Sequence, residues 1–130
     1  MREILFRGKR IDNDEWVIGS LAAEYYKKHG VMMIAPSEDV IFKVDPDTIG
    51  QYTGLTDKNG EKIFEGDIVS YRTSCAHRTM KVIYQAGGFI VVDSTNLFRM
   101  SDLRKDFTNK HLEVIGNIHD NPELLEADNG

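Results

Sequence analysis

Apolar and polar residues alternate along most of this chain, in short stretches that end at glycine, proline, asparagine or aspartate. Such alternation places every second side chain on one face of an extended strand, so it predicts strands with one buried face. Few stretches have the spacing of an amphipathic helix. The predicted strands cover residues 3–7, 16–18, 21–26, 31–35, 39–44, 49–55, 62–71, 80–85, 89–93 and 112–118.

Glycine-containing turns divide these strands. Gly8 should end the first strand, and Gly19 suggests a bulge or a bend in the second. Residues 65–67 interrupt the 62–71 stretch, and we expect Gly66 to adopt a positive φ there, because only glycine does so without a Cβ clash. Residues 86–88 separate two apolar strands and predict a hairpin, with Met80, Val82 and Tyr84 on one face.

Many short strands without a strand–helix–strand rhythm predict a mainly β fold, a small barrel or roll of antiparallel strands with little helix. A chain of 130 residues has the usual size of one domain, so we expect a single domain over 1–130. The turn at 45–47 could divide it into lobes 1–45 and 46–126. Asn121 should cap a short helical turn, and residues 127–130 should fray.

Cysteine content and hydropathy favour a soluble protein of the cytoplasm. Cys75 is the one cysteine and has no partner for an internal disulfide, which fits a reducing compartment. The amino terminus lacks the apolar stretch of a secretion signal. No apolar run approaches the roughly eighteen residues that a membrane-spanning helix requires.

Charge is spread unevenly along the chain. The net charge of −5 disfavours general nucleic-acid binding, which depends on Lys and Arg neutralising phosphates. Residues 31–70 carry three basic and eight acidic side chains, whereas residues 71–110 carry seven basic and three acidic ones. The basic segment could face the acidic one in a homo-oligomer, bind nucleic acid, or simply be solvated. The possible basic patch comprises Arg72, Arg78, Lys81, Arg99, Arg104, Lys105 and Lys110.

Residues 25–29 interleave aromatic and basic side chains, as a single-stranded nucleic-acid platform can. The net negative charge opposes that function, and an exposed basic hairpin tip is the favoured interpretation of these residues. Cys75 and His77 lie two residues apart, but structural zinc requires four ligands, and the other histidines are singly placed. We therefore assign no metal, no cofactor and no catalytic residue. A loop without a chemical role is the favoured interpretation of Cys75 and His77.

Four residues around two predicted turns form the one candidate reaction site. Tyr52, Asp57, Glu65 and Asp67 could converge as an acidic pocket for acid–base chemistry. The alternative is that glycines make these turns and that Asp57 and Asp67 bind nearby backbone. We favour the alternative, because glycine and turn residues dominate the segment.

Three segments resemble the YopX family, in the family's order: residues 2–8 with Trp16 and Val17, residues 50–60 continuing into 63–69, and residues 113–118 with 121–125. The resemblance implies a phage or prophage origin and a mainly β fold with an SH3-like barrel or roll. It supplies no catalytic or binding residues. The signature residues are Gly50, Gln51, Tyr52, Thr53, Gly54, Leu55, Asp57, Asn59, Gly60, Glu65, Gly66 and Asp67.

These observations favour a non-enzymatic phage accessory protein that acts through protein–protein contacts, with itself and with a phage or host protein. The first alternative is a nucleic-acid-binding barrel that uses residues 71–110. The second is a hydrolase centred on the Tyr52, Asp57, Glu65 and Asp67 region.

Overall fold

The computed structural model describes residues 4–22, 28, 30–85, 87–93, 97–99 and 108–129. Within them the fold is mainly β, as the alternation predicts, and eight pairs of neighbouring strands are antiparallel. The strands are β1 (Phe6–Lys9), β2 (Trp16–Leu21), β3 (Met33–Ser37), β4 (Val40–Lys43), β5 (Gly50–Thr56), β6 (Lys62–Phe64), β7 (Asp67–Arg72), β8 (His77–Gln85), β9 (Gly88–Val92), β10 (Leu97–Arg99) and β11 (Leu112–Asn117). Short 3-10 turns cover Pro46–Thr48 and Thr108–His111, and a helix, α1, covers Glu123–Asn129.

The chain divides into two compact units, Met1–Tyr52 and Thr53–Gly130, called unit 1 and unit 2 below. The boundary lies within β5, beyond the turn at 45–47 that the sequence suggested. The pairing explains this difference, because the first residues of β5 lie beside β1, with Gly50 opposite Arg7 and Gln51 opposite Phe6.

Unit 1 is an antiparallel sheet in the order β4-β3-β2-β1-β5. Ile34 and Val44 are fully buried. The predicted turn after β4 is confirmed: the Asp45 carboxylate accepts the Asp47 amide at 3.0 Å, and the Thr48 hydroxyl accepts the Lys9 amide at 2.8 Å. Asp45 thus caps the turn that connects the edge strand β4 to β5, and β5 lies beside β1.

Two glycine predictions in unit 1 are wrong. Gly8 lies inside β1 instead of ending it. A Cβ there would lie 3.1 Å from the Val44 Cβ, so the close approach of Val44 favours glycine at this position. Gly19 makes no bulge, because β2 runs through it with Gly19 opposite Phe6. A Cβ at Gly19 would lie 2.2 Å from the Ala35 carbonyl oxygen, so close approach of β3 requires glycine here.

Unit 2 contains a five-stranded sheet in the order β10-β9-β8-β7-β11. The predicted hairpin at residues 86–88 is confirmed, with Tyr84 of β8 opposite Phe89 of β9. Met80 and Val82 are fully buried, whereas Tyr84, near the hairpin tip, is 55% exposed. Burying each aliphatic core side chain contributes about 1.5–3 kcal/mol. The core of unit 2 consists of Ile63, Val69, Met80, Val82, Val91 and Leu112.

The carboxy-terminal segment differs from its prediction. Helix α1 begins at Glu123 and extends through Asn129, into the segment expected to fray. The Asn121 carbonyl accepts the Leu124 amide at 3.1 Å, but the Asn121 side chain turns back and accepts the Asn117 amide at 3.2 Å. In the described part of the chain no helix has the length and apolar character needed to cross a bilayer.

Candidate functional site

The carboxylate of Asp57 is bound entirely by backbone amides. Asp57 is 4% exposed. Its Oδ1 accepts the amides of Asn59 at 2.8 Å and Glu61 at 2.9 Å, which closes the turn between β5 and β6. Its Oδ2 accepts the Val114 amide at 2.9 Å, on the outer edge of β11. The Asp57 side chain therefore stabilises its own turn and also binds the outer edge of β11.

Asp67 occupies a second, separate turn. It is 1% exposed, and its Oδ2 accepts the Phe64 amide at 2.8 Å across the reversal between β6 and β7. Gly66 in this turn has a φ of 94°, as the sequence predicts. The Gly66 amide donates to the Val82 carbonyl, and its carbonyl accepts the Ile118 amide, both at 2.8 Å.

These contacts agree with the prediction that Asp57 and Asp67 bind nearby backbone. They do not provide the pair of cavity-lining carboxylates that the hydrolase hypothesis requires, since each carboxylate faces amides of its own turn. Tyr52 is buried in unit 1, and Glu65 is half-buried. That the whole signature segment serves folding stays a prediction.

A polar cleft of about 350 Å³ lies on the face of the unit 2 sheet opposite its core. Strand register explains its lining: Ser70 lies opposite Thr79 in β8 and opposite Glu113 in β11, and Arg72 lies opposite His77. Alternation sends Val69 and Met80 to the core and these polar residues to the other face. The polar cleft is lined by Lys58, Ser70, Arg72, His77, Thr79, His111, Glu113, Ile115 and Leu124.

Two features shape the walls of the polar cleft. A register shift between Val114 and Gly116 marks a bulge at Ile115, which lines the cleft and is 39% exposed. Leu124 from α1 lies at the wall and supplies a second aliphatic surface. The cleft therefore combines a polar floor with two apolar contacts.

Ser70 Oγ and His77 Nε2 lie 3.2 Å apart in the polar cleft. A serine nucleophile requires oxyanion donors as well as a base. Ser70 lies in the middle of β7, paired with β8 on one side and β11 on the other, where backbone amides serve the strand ladders. Ser70 and His77 therefore form a hydrogen-bonded pair in the cleft lining, and the imidazole tautomer decides which of them donates.

The lining of this cleft carries one more cation than carboxylate, since Lys58 and Arg72 accompany Glu113. Lys58 Nζ lies 3.8 Å from Glu113 Oε1, and these side chains are 47% and 42% exposed. Exposed pairs of this kind contribute little stability, about 0–1 kcal/mol. Arg72 is exposed, and among the described residues no carboxylate pairs with it.

The structure separates the predicted basic patch. Arg72 and Lys81 lie on the cleft face, whereas Arg78 points to the opposite face and binds Asp93 at 3.0 Å. Lys110 is exposed in the 3-10 turn before β11. The side chain of Arg99, together with all of Arg104, Lys105 and residues 25–27 and 29, lies outside the described residues.

Sequence reasoning missed most of the polar cleft. It weighed His77 only with Cys75, which is exposed in the loop between β7 and β8. The signal that could have found the cleft is the polar alternation at residues 70, 72, 77 and 79, read as a paired hairpin. In the described part of the chain no three His, Cys, Asp or Glu side chains are grouped to hold a metal ion.

Comparison with known proteins identifies the family. The YopX protein family matches residues 5–126. Among solved structures, the crystal structure of protein EF1440 from Enterococcus faecalis is similar, with a TM-score of 0.60 and 26% sequence identity over 96% of this chain and 99% of that one. A search of curated proteins gave no match. Since the family match spans nearly the whole chain, this protein belongs to the YopX family.

Proposed function

We propose that this YopX-family protein is a phage or prophage accessory protein, a non-enzymatic β module that binds another protein through the polar cleft. The observation that carries the proposal is the composition of the cleft, which combines cations, hydroxyls and imidazoles with two aliphatic side chains. Binding sites typically pair apolar contact surface with a few convergent polar groups. The acidic residues first considered for catalysis, Asp57 and Asp67, are bound to backbone amides instead.

The partner in this proposal is a protein of the phage or of its host, met in the bacterial cytoplasm. Self-association is a second part of the proposal, supported by the contrast between the acidic segment 31–70 and the basic segment 71–110. Sedimentation velocity at several salt concentrations tests it. We expect an oligomer that dissociates as salt rises, and a monomer at every salt concentration would contradict self-association.

Affinity capture from prophage-induced cells, with nuclease present, tests the main proposal. The tagged protein is compared with Ile115→Trp, which fills part of the polar cleft whatever the charge of the partner. Ile11→Trp is the matched control, because Ile11 is 60% exposed and belongs to unit 1. We expect Ile115→Trp to lose a protein that the wild type and Ile11→Trp both retain. Equal recovery by all three would contradict a role for the cleft.

Nucleic-acid binding is the second candidate, because Arg72 and Lys81 share the cleft face with Lys58. Backbone phosphates would then contact these cations, and affinity would fall steeply as salt rises. Fluorescence anisotropy of a labelled oligothymidylate at low salt is the test. An unchanged signal with protein well above micromolar concentration would exclude this candidate.

A further inference from the structure

We propose that the polar cleft recognises a side-chain carboxylate on an acidic segment of the partner protein, with Arg72 as the principal binding charge. This inference rests on the proposed function, because it specifies the chemistry by which the cleft would hold a protein. The occupant is argued from four features of the cleft: one available cation, a hydroxyl and imidazole floor, a net positive lining, and the cleft's small size.

The available cation is Arg72. Its guanidinium carries five donors in a planar fork that matches the two oxygens of a carboxylate. Arg78, in the neighbouring strand, already has a carboxylate partner within the chain, since its guanidinium binds Asp93 at 3.0 Å. Arg72 has no such carboxylate among the described residues and is exposed at the cleft. A carboxylate supplied by a partner would complete the pair.

The floor beside Arg72 offers a further donor. Arg72 lies opposite His77, whose Nε2 is 3.2 Å from Ser70 Oγ. A hydroxyl has one donor and two acceptor positions, so Ser70 can accept from the imidazole and still donate to a ligand oxygen. Ser70 itself is only 9% exposed, so its position is fixed by packing. Because Ser70 and Arg72 lie two residues apart on the same face of β7, a bound carboxylate could accept from both the hydroxyl and the guanidinium.

The lining charge is complementary to an acidic partner although the whole protein is acidic. Lys58 and Arg72 outnumber Glu113, the carboxylate in the lining, whereas the chain carries a net charge of −5. Lys58 pairs with Glu113 at 3.8 Å in a half-exposed contact, which costs little to exchange for a ligand carboxylate. A local excess of positive charge on a protein of net negative charge favours the encounter of an acidic segment with this cleft.

The size and the apolar walls of the cleft favour a glutamate side chain over an inorganic anion. A volume of about 350 Å³ accommodates one or two side chains and is at the small end for ligand pockets. Ile115 and Leu124 provide aliphatic surface beside the charged floor. The methylene groups of glutamate can contact that surface while the carboxylate reaches Arg72. Glutamate in an extended acidic segment therefore fits the cleft better than a compact inorganic anion.

Fluorescence anisotropy with labelled hexaglutamate at low salt tests the inference, with labelled hexalysine and oligothymidylate as the other two probes. The variant is Arg72→Glu, and the matched control is Lys43→Glu, an exposed lysine of β4 in unit 1. Both variants change the net charge equally. We expect Arg72→Glu to weaken hexaglutamate binding by about tenfold or more and Lys43→Glu by less than about twofold, since removing one partner of a close charge pair affects affinity strongly.

Amide chemical-shift mapping of wild-type protein with hexaglutamate should show the largest changes at Ser70, Arg72 and His77. Unaltered dispersion of the Arg72→Glu spectrum would show that this variant remains folded. Three results would overturn the inference: no hexaglutamate binding at millimolar concentration, binding that Arg72→Glu leaves unchanged, or tighter binding of oligothymidylate. A cellular partner that Arg72→Glu still captures but Ile115→Trp loses would leave the proposed function intact while refuting the carboxylate.

Discussion

Asp57 and Val114 are joined by a hydrogen bond of 2.9 Å between Oδ2 and the amide, across 57 residues of sequence. Two residues before Val114 along β11, the Leu112 carbonyl accepts the Lys58 amide at 2.9 Å. The turn after β5 thus occupies the outer edge of β11 as an additional strand would. This arrangement uses donors and acceptors that an exposed strand edge would otherwise present to other chains.

Replacing Asp57 by asparagine should therefore lower the free energy of unfolding by about 1.5–3 kcal/mol, the range of one charge-assisted hydrogen bond. Asparagine keeps one carboxamide oxygen, but its amino group would face backbone amide donors, either those of Asn59 and Glu61 or that of Val114. Urea denaturation measures the change, with Asp47→Asn, an exposed aspartate of unit 1, as the control. A loss below about 0.5 kcal/mol, the usual range of a surface substitution, would contradict the structural role.

Gly66 should not tolerate a β-branched side chain. Its φ of 94° is a conformation that valine adopts only with strain, which costs about 1–3 kcal/mol. Both its backbone groups are bonded, to Val82 and Ile118, so the turn has little freedom to relax. We expect Gly66→Val to lower the melting temperature by several degrees in a calorimetric scan. Glu65→Val in the same turn is the control, and equal stability of the two variants would show that φ is not the cause.

Gly116 and Asn121 should be energetically coupled. A Cβ at Gly116 would lie 2.6 Å from Asn121 Oδ1, the atom that accepts the Asn117 amide. Overpacking of this kind costs about 1–3 kcal/mol, so Gly116→Ala should be destabilising by that amount. In a double-mutant cycle, Asn121→Gly removes the clash, and the alanine should then cost much less. Additive losses across the cycle would refute the coupling.

Local pattern predicted the elements of this fold better than their connections. The 86–88 hairpin and the positive φ of Gly66 depend on neighbouring residues, and both predictions are confirmed. Gly19 shows the limit, because its glycine is required by the Ala35 carbonyl of the adjacent strand. Contacts between distant segments leave no periodic signal in one sequence. For that reason a bulge was the wrong interpretation of Gly19.

The same limit applies to the candidate site. Asp57 was predictable as a turn residue from Asn59 and Gly60, but its bond to Val114 was not. The polar cleft depends on which residues of β7, β8 and β11 lie opposite one another, so it follows from sheet register. Composition grouped Arg72 with Arg78 as one basic patch, whereas alternation along the paired strands places them on opposite faces.

The same substitution should accordingly have different effects at Arg72 and at Arg78: lost binding at Arg72 and lost stability at Arg78. Arg78 binds Asp93, whose side chain is 6% exposed, so Arg78→Gln leaves a nearly buried carboxylate without this guanidinium. We expect a loss of about 1–2 kcal/mol in unfolding free energy, below the cost of breaking a fully buried pair because Arg78 is 40% exposed. Arg72→Gln should change stability by less than about 0.5 kcal/mol yet weaken hexaglutamate binding. Urea denaturation and anisotropy on both variants measure the two effects. If Arg72→Gln were the more destabilising variant, Arg72 would have a structural role, and the distinction between a binding arginine and a stabilising one would fail.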